Sequence, residues 1–103
     1  MTDRFGLSEQ DIAAYQSTFS AFPSVKRVMI YGSRAKGNYR RASDIDLTVM
    51  DKIDWATFIA LEAQIDDLML PYQVDLSIYT QIDNPDLVDH IQRVGQVFYE
   101  KTP

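Results

Sequence analysis

The chain has 103 residues, of which 46% are hydrophobic and 24% charged, a composition typical of a folded protein with one modest core. It contains no cysteine, which excludes disulfides and thiolate metal sites. The net charge of −5 argues against general nucleic-acid binding, and no stretch is long and apolar enough to span a membrane. The N-terminus lacks the basic-then-apolar pattern of a signal peptide. We therefore expect one cytoplasmic domain over residues 1–103, without direct nucleic-acid binding.

The first predicted helix begins after Ser8. Asp11 lies three residues later, as in a capping box, and Leu7 occupies the hydrophobic-staple position. Pro23 ends the helix. The apolar residues at helical spacing, which we expect to pack on a sheet, are Ile12, Tyr15, Phe19 and Phe22.

A strand is predicted over residues 26–31, with Val28 and Ile30 facing the core. It ends at Gly32-Ser33, where glycine lets the backbone approach a ligand and the serine could cap a short helix over residues 34–39. Free backbone N–H groups at such a turn bind phosphate oxygens. Taken alone, a Gly-Ser pair is weak evidence for a phosphate site.

Residues 43–50 alternate polar and apolar side chains, which predicts a half-buried strand. Asp44 and Asp46 fall on its polar face, where two carboxylates repel each other unless a cation lies between them. Oxygen ligands of this kind suit Mg²⁺. Taken alone, the pair is better explained as a solvated strand face, but its position a dozen residues after the Gly-Ser turn favours a site.

A second alternating strand over residues 74–79 carries Asp75 and Ser77 on one face. If this strand pairs beside the first acidic strand, Asp75 joins Asp44 and Asp46. Three carboxylates could hold two metal ions about 4 Å apart, one on the attacking oxygen and one on a triphosphate.

Six of the ten basic residues fall within sixteen positions: Lys26, Arg27, Arg34, Lys36, Arg40 and Arg41. A basic patch next to the Gly-Ser turn is consistent with a clamp on a polyphosphate, although a solvated loop that balances nearby acids is the alternative for Lys36, Arg40 and Arg41. Tyr39 in the same loop could stack on a base or simply pack.

Asp54 is a plausible N-cap for a helix over residues 55–70. Glu62 and Asp66 lie four residues apart on this helix, which indicates a solvated face rather than a metal pair. The core stripe is predicted to be Phe58, Leu61, Ile65 and Leu68.

Asn84 and Pro85 are typical of a helix start, and this last helix is expected to end at Gly95. His90, the only histidine, is predicted to be a surface residue with no link to the carboxylates. Residues 96–100 predict either a final strand or an apolar tail. Helices that alternate with strands indicate an α/β fold.

The motif residues together resemble the DNA polymerase β-type nucleotidyltransferase superfamily and, within it, the minimal nucleotidyltransferases. The signature G-S-x-A-x-G, a gap and then S-D-I-D-L is matched at every position, and the resemblance extends over residues 25–79. The matching residues are Gly32, Ser33, Ala35, Gly37, Ser43, Asp44, Ile45, Asp46 and Leu47.

The resemblance implies a mixed β-sheet with helices packed on one face and the carboxylates on the other. It implies that Asp44, Asp46 and Asp75 are the catalytic and metal-binding residues, with two Mg²⁺ ions. The nucleotide-binding residues would be Gly32, Ser33, Arg34 and Ser43, and the substrate would be ATP.

Members of this group are commonly encoded beside an all-helical HEPN-type protein, and several act as antitoxins that transfer AMP from ATP to a tyrosine of that partner. A length of 103 residues leaves no room for a separate acceptor-binding domain, so we expect a protein partner to complete the site. Two alternatives stay open: transfer to a small molecule such as an aminoglycoside, and an antitoxin that neutralises its partner by contact alone.

Overall fold

The structure, a computed structural model, describes residues 4–101, so the predicted single domain over 1–103 extends beyond the described residues at both ends. Four helices are found: α1 (Glu9–Ser20), α2 (Gly32–Lys36), α3 (Trp55–Asp67) and α4 (Pro85–Val94). Four strands accompany them: β1 (Arg27–Tyr31), β2 (Ile45–Val49), β3 (Val74–Ile78) and β4 (Gln96–Glu100). In this part of the chain, no helix has the length and hydropathy that a membrane span requires.

The helix starts follow the capping side chains that the sequence predicts. Ser8 accepts a hydrogen bond from the backbone of Asp11 at 3.1 Å, and Asp54 accepts one from Thr57 at 2.7 Å. Asn84 caps α4 in the same way. The end of α3 differs from the prediction, because α3 ends at Asp67 and not at Leu70, and Met69 beyond it has a positive φ of 56°.

The four strands form one mixed sheet in the order β3-β2-β1-β4. β1 is antiparallel to both β2 and β4, whereas β2 and β3 are parallel and are connected through α3. The final segment, residues 96–100, is therefore an edge strand and not a tail. This arrangement confirms the predicted mixed-sheet α/β fold.

The main core lies between the sheet and two helices, α1 and α3. Both helices bury the apolar stripe that their spacing predicts, and the inward residues of the strands complete the layer. Its fully buried members include Phe19, Ile30, Leu47 and Leu61.

Helix α4 lies elsewhere and packs against α2 and β1. Tyr31 pairs with Asp46 in the β1–β2 register, so Tyr31 lies on the carboxylate face, and His90 of α4 contacts the Tyr31 ring. One part of the carboxylate face is therefore covered by a helix, whereas Asp75 on the same face is exposed.

Candidate active site

The parallel pairing of β2 and β3 brings two predicted carboxylates side by side. Asp46 and Asp75 are register partners, and both lie opposite the core-facing Leu47 and Leu76. Asp44 lies just before β2, two positions from Asp46. The structure thus assembles the acidic group in the way that the alternating patterns predict, with Asp46 half-buried and the other two side chains exposed.

Burial raises the pKa of the Asp46 carboxyl, and the nearby Asp75 and Asp44 carboxylates raise this pKa further. Between residues 4 and 101 the ion pairs are Arg27 with Glu100 and Arg93 with Asp89, so no cationic side chain pairs with the acidic group there. An excess of negative charge on one sheet face favours binding of a cation.

The donor set fits Mg²⁺ in chemistry, because it consists of carboxylate oxygens that leave coordination positions for water and phosphate. As the side chains lie, no group of three His, Cys, Asp or Glu residues in the described range closes around a single point. Asp44 and Asp75 are exposed, so their side chains have room to rotate toward a bound cation.

Gly32 forms the wall next to the Asp46 carboxylate. Its φ is +75°, and a Cβ added there would overlap Oδ2 of Asp46. A side chain at this position would therefore be strained by the backbone and would also displace the carboxylate. Close approach of the turn to the acidic group is the physical reason for this glycine.

The helix after the turn differs from the prediction. α2 runs from Gly32 to Lys36 and is followed by Gly37 as its C-cap, with φ +87°, so the predicted range of 34–39 is wrong. Ser33 lies inside α2 and does not cap it, and Tyr31 at the N-cap position makes no side-chain capping bond. The contact of Ser33 with a nucleotide stays a prediction.

Arg34 is only 2% exposed, and its guanidinium is bonded to main-chain carbonyls. It donates to Phe5 O at 2.8 Å, to Ser43 O at 3.1 and 2.8 Å, and to Arg41 O at 3.3 Å. These contacts tie the chain before α1 to the loop before β2. They give Arg34 a structural role, and its contact with a nucleotide stays a prediction.

Ser43 also closes the loop locally. Its hydroxyl accepts a hydrogen bond from the Arg40 backbone at 2.8 Å, and its own N–H donates to Arg40 O at 3.0 Å. Arg34 lies over the Tyr39 ring, 5.4 Å from its centroid, which favours packing over base stacking for this tyrosine. Lys36 and Arg40 are exposed, and their polyphosphate role stays a prediction.

His90 contacts the site, and the prediction that it has no link to it is wrong. Its Nε2 accepts a hydrogen bond from the Gly32 N–H at 3.2 Å, and its ring meets the Tyr31 ring edge-on at 6.1 Å. Its helical spacing from Leu87 and Val94, three and four residues away, could have revealed this. The spacing places His90 on the apolar face of α4 rather than on the solvent face.

Hydroxyl groups line the sheet beside the carboxylates. The Thr48 and Ser77 hydroxyls are 2.9 Å apart, and Thr48 is fully buried. Burial raises the pKa of the Tyr31 hydroxyl, and the charges of Asp75 and Asp46 raise it further. The hydrogen bond with Ser77 lowers this pKa but does not cancel the increase. Tyr31 is therefore a neutral hydrogen-bonding group next to the acidic pair at neutral pH.

Comparison with known proteins adds a family match. The model of the family "Polymerase beta, Nucleotidyltransferase" matches residues 13–103. No curated protein sequence matches the chain significantly.

Solved structures with the same fold include a chain of a toxin–antitoxin complex with AMP-PNP, at 21% identity and TM-score 0.66 over 93% of this chain and 76% of that chain. Another belongs to tri-AMPylated Shewanella oneidensis HEPN toxin in complex with MNT antitoxin, at 16% identity and TM-score 0.63 over 90% and 72%. A candidate nucleotidyltransferase from Sulfolobus solfataricus matches at 21% identity and TM-score 0.56 over 87% and 77%.

Proposed function

The chain belongs to the polymerase β-type nucleotidyltransferase family, and from that membership we propose that it transfers AMP from ATP to a tyrosine hydroxyl of a HEPN-type partner protein. In this way it acts as an antitoxin in the cytoplasm. The observation that carries the proposal is the register pairing of Asp46 with Asp75 beside Gly32. Two structurally similar proteins, one from a toxin–antitoxin complex with AMP-PNP and one from a complex with tri-AMPylated HEPN toxin, support the choice of nucleotide and partner.

Asp44, Asp46 and Asp75 would hold Mg²⁺, with two ions in the full site. When bound, the metal neutralises charge on the triphosphate and lowers the pKa of the acceptor hydroxyl. The carboxylates contribute ligand oxygens, and Asp75 at the open edge strand accepts the hydroxyl proton. The acceptor oxygen forms a bond to the α-phosphorus, the bond from that phosphorus to the bridging oxygen breaks, and pyrophosphate leaves.

The Gly32-Ser33 turn orients the phosphates in this proposal. The Gly32 N–H is already donated to His90, so Ser33 supplies the donors through its hydroxyl and backbone N–H. We leave Arg34 out of the nucleotide-contacting set, because main-chain carbonyls occupy its guanidinium. Ser43 is left out for its part in the loop.

The test is the intact mass of the protein encoded by the adjacent reading frame, after incubation with the chain, ATP and Mg²⁺. We expect a gain of one or more AMP units that is lost in Asp44→Asn. The control is Asp67→Asn, which makes the same chemical change at the exposed end of α3. Because α3 packs on the opposite face of the sheet, this variant should transfer AMP normally.

Two results would replace the proposal. If the partner gains no mass but forms a stable complex and is neutralised equally well by Asp44→Asn, contact alone is the function. If there is neither adduct nor complex and an aminoglycoside gains the nucleotide, the chain modifies small molecules.

A further inference from the structure

The contact between His90 and Gly32 joins two parts of the chain that are 58 residues apart. His90 lies on α4, which is held against β1 and α2, and its ring also packs edge-on against Tyr31. Because Nε2 accepts the Gly32 hydrogen bond, it carries no proton, and the proton of the neutral ring lies on Nδ1. The contact therefore specifies one tautomer of the imidazole.

Gly32, which is held by this hydrogen bond, also contacts the acidic group. The space that a Cβ at Gly32 would need is occupied by Oδ2 of Asp46, so a shift of the Gly32 backbone toward β2 displaces that carboxylate. Tyr31, the residue before Gly32, is the register partner of Asp46. His90 thus holds the two consecutive residues that border Asp46 on the β1 side.

We propose that His90 is a positioning residue for the carboxylate site, acting through the Gly32 N–H to fix the wall against which Asp46 is oriented. The inference deepens the proposed nucleotidyl transfer and rests on it for its kinetic readout. The imidazole has no role in proton transfer here, because its acceptor nitrogen faces the backbone. Removing a group that holds a metal ligand through a hydrogen bond typically changes metal affinity or activity by about 10–100-fold, and His90 acts one residue further away, through Gly32.

Two substitutions separate hydrogen bonding from packing. His90→Gln keeps an acceptor near the Nε2 position and removes the ring, whereas His90→Phe keeps a ring against Tyr31 and removes the acceptor. If His90 positions Gly32, the Phe variant should lose about tenfold in kcat/KM for ATP and the Gln variant should stay within about threefold. Gln92→Ala, on the exposed side of α4, is the matched control and should behave as the unchanged chain.

The decisive readouts do not need turnover. Nitrogen-15 spectra of the imidazole at pH 8, where an ordinary histidine is neutral, should place the proton on Nδ1. Hydrogen exchange of the Gly32 amide should accelerate in the Phe variant and stay protected in the Gln variant, with thermal unfolding to show that both are folded.

A proton on Nε2 of His90 would overturn the inference. Equal exchange rates of the Gly32 amide in the two variants would also overturn it, as would faster nucleotide transfer by His90→Phe than by His90→Gln. If the unchanged chain transfers no nucleotide to its partner, the proposed function fails. The tautomer and the exchange rates would then still decide whether His90 positions Gly32.

Discussion

Replacement of Arg34 by Met distinguishes a structural arginine from a phosphate ligand. The sequence motif assigns Arg34 to the nucleotide, whereas the structure buries it and directs its N–H groups to the carbonyls of Phe5, Arg41 and Ser43. Its guanidinium also lies between the Tyr39 and Tyr72 rings, 5.4 Å from each centroid. Met has similar length and fills the space, but it leaves these carbonyls without their donor.

The expected cost follows from the carbonyls that lose a partner. Phe5 O and Ser43 O receive the shortest bonds, at 2.8 Å each, and leaving such an acceptor unsatisfied costs about 1–3 kcal/mol. Removing a buried charge offsets part of this loss, so we expect a total of about 3 kcal/mol. For a domain of this size that corresponds to a Tm lower by about 15 °C.

The assay is thermal unfolding followed by circular dichroism, alongside ATP affinity. Arg40→Met is the matched control, because Arg40 lies in the loop after α2 with an exposed side chain and its loss should change stability by less than about 0.5 kcal/mol. A Tm within about 2 °C of the unchanged chain, together with a tenfold loss of ATP affinity, would refute the structural role. Arg34 would then be the phosphate ligand that the motif predicts.

Three further predictions concern stability. Burial raises the pKa of Asp46, so the folded chain holds this proton more tightly, and stability falls as pH rises from the ordinary aspartate pKa to the raised value. Without metal, Asp46→Asn should therefore unfold at a higher temperature than the unchanged chain at pH 8 and at an equal one near pH 3; a lower temperature at pH 8 would contradict this. Gly32→Ala should lower the free energy of unfolding in urea by more than Gly37→Ala. Both glycines have a positive φ, so each substitution costs about 1–2 kcal/mol in backbone strain, but only Gly32 lies against a carboxylate. Equal losses would contradict the close approach of Gly32 to Asp46. Leu61 is fully buried in α3, so Leu61→Ala should lower the free energy of unfolding by about 2–5 kcal/mol. Ile59 is 46% exposed on the same helix, so Ile59→Ala should lower it by less than about 1 kcal/mol. Similar losses in urea denaturation would place the core elsewhere.

Local signals in the sequence located most elements of the fold. Ser8, Asp54 and Asn84 cap the helices that they were predicted to cap, because a capping side chain bonds only two or three residues along the chain. The alternation in residues 45–49 and 74–78 likewise predicted which face of each strand is buried. Such patterns are local consequences of backbone geometry, and they hold before any tertiary contact forms.

The same patterns predicted that Asp46 and Asp75 each lie on the polar face of their strand. They could not predict that the two strands pair with each other, which only the sheet topology shows. Only the parallel β2–β3 register makes them direct neighbours, and a slip by one residue would move Asp75 to the core side. The glycine of the Gly-Ser turn was identified by its motif, and the Asp46 carboxylate that excludes a side chain there became visible only in the structure.

By itself, the sequence determined the α/β order, the caps, and the acidic and glycine residues of the motif. The tertiary structure alone decided the partners of two side chains, Arg34 and His90, and it corrected the prediction for His90. Arg34 reaches Phe5 and His90 reaches Gly32 across 29 and 58 residues, respectively. The spacing of residues in α4 indicates only that His90 lies on the apolar face. Which residue each side chain contacts at such a separation depends on how the helices pack on the sheet.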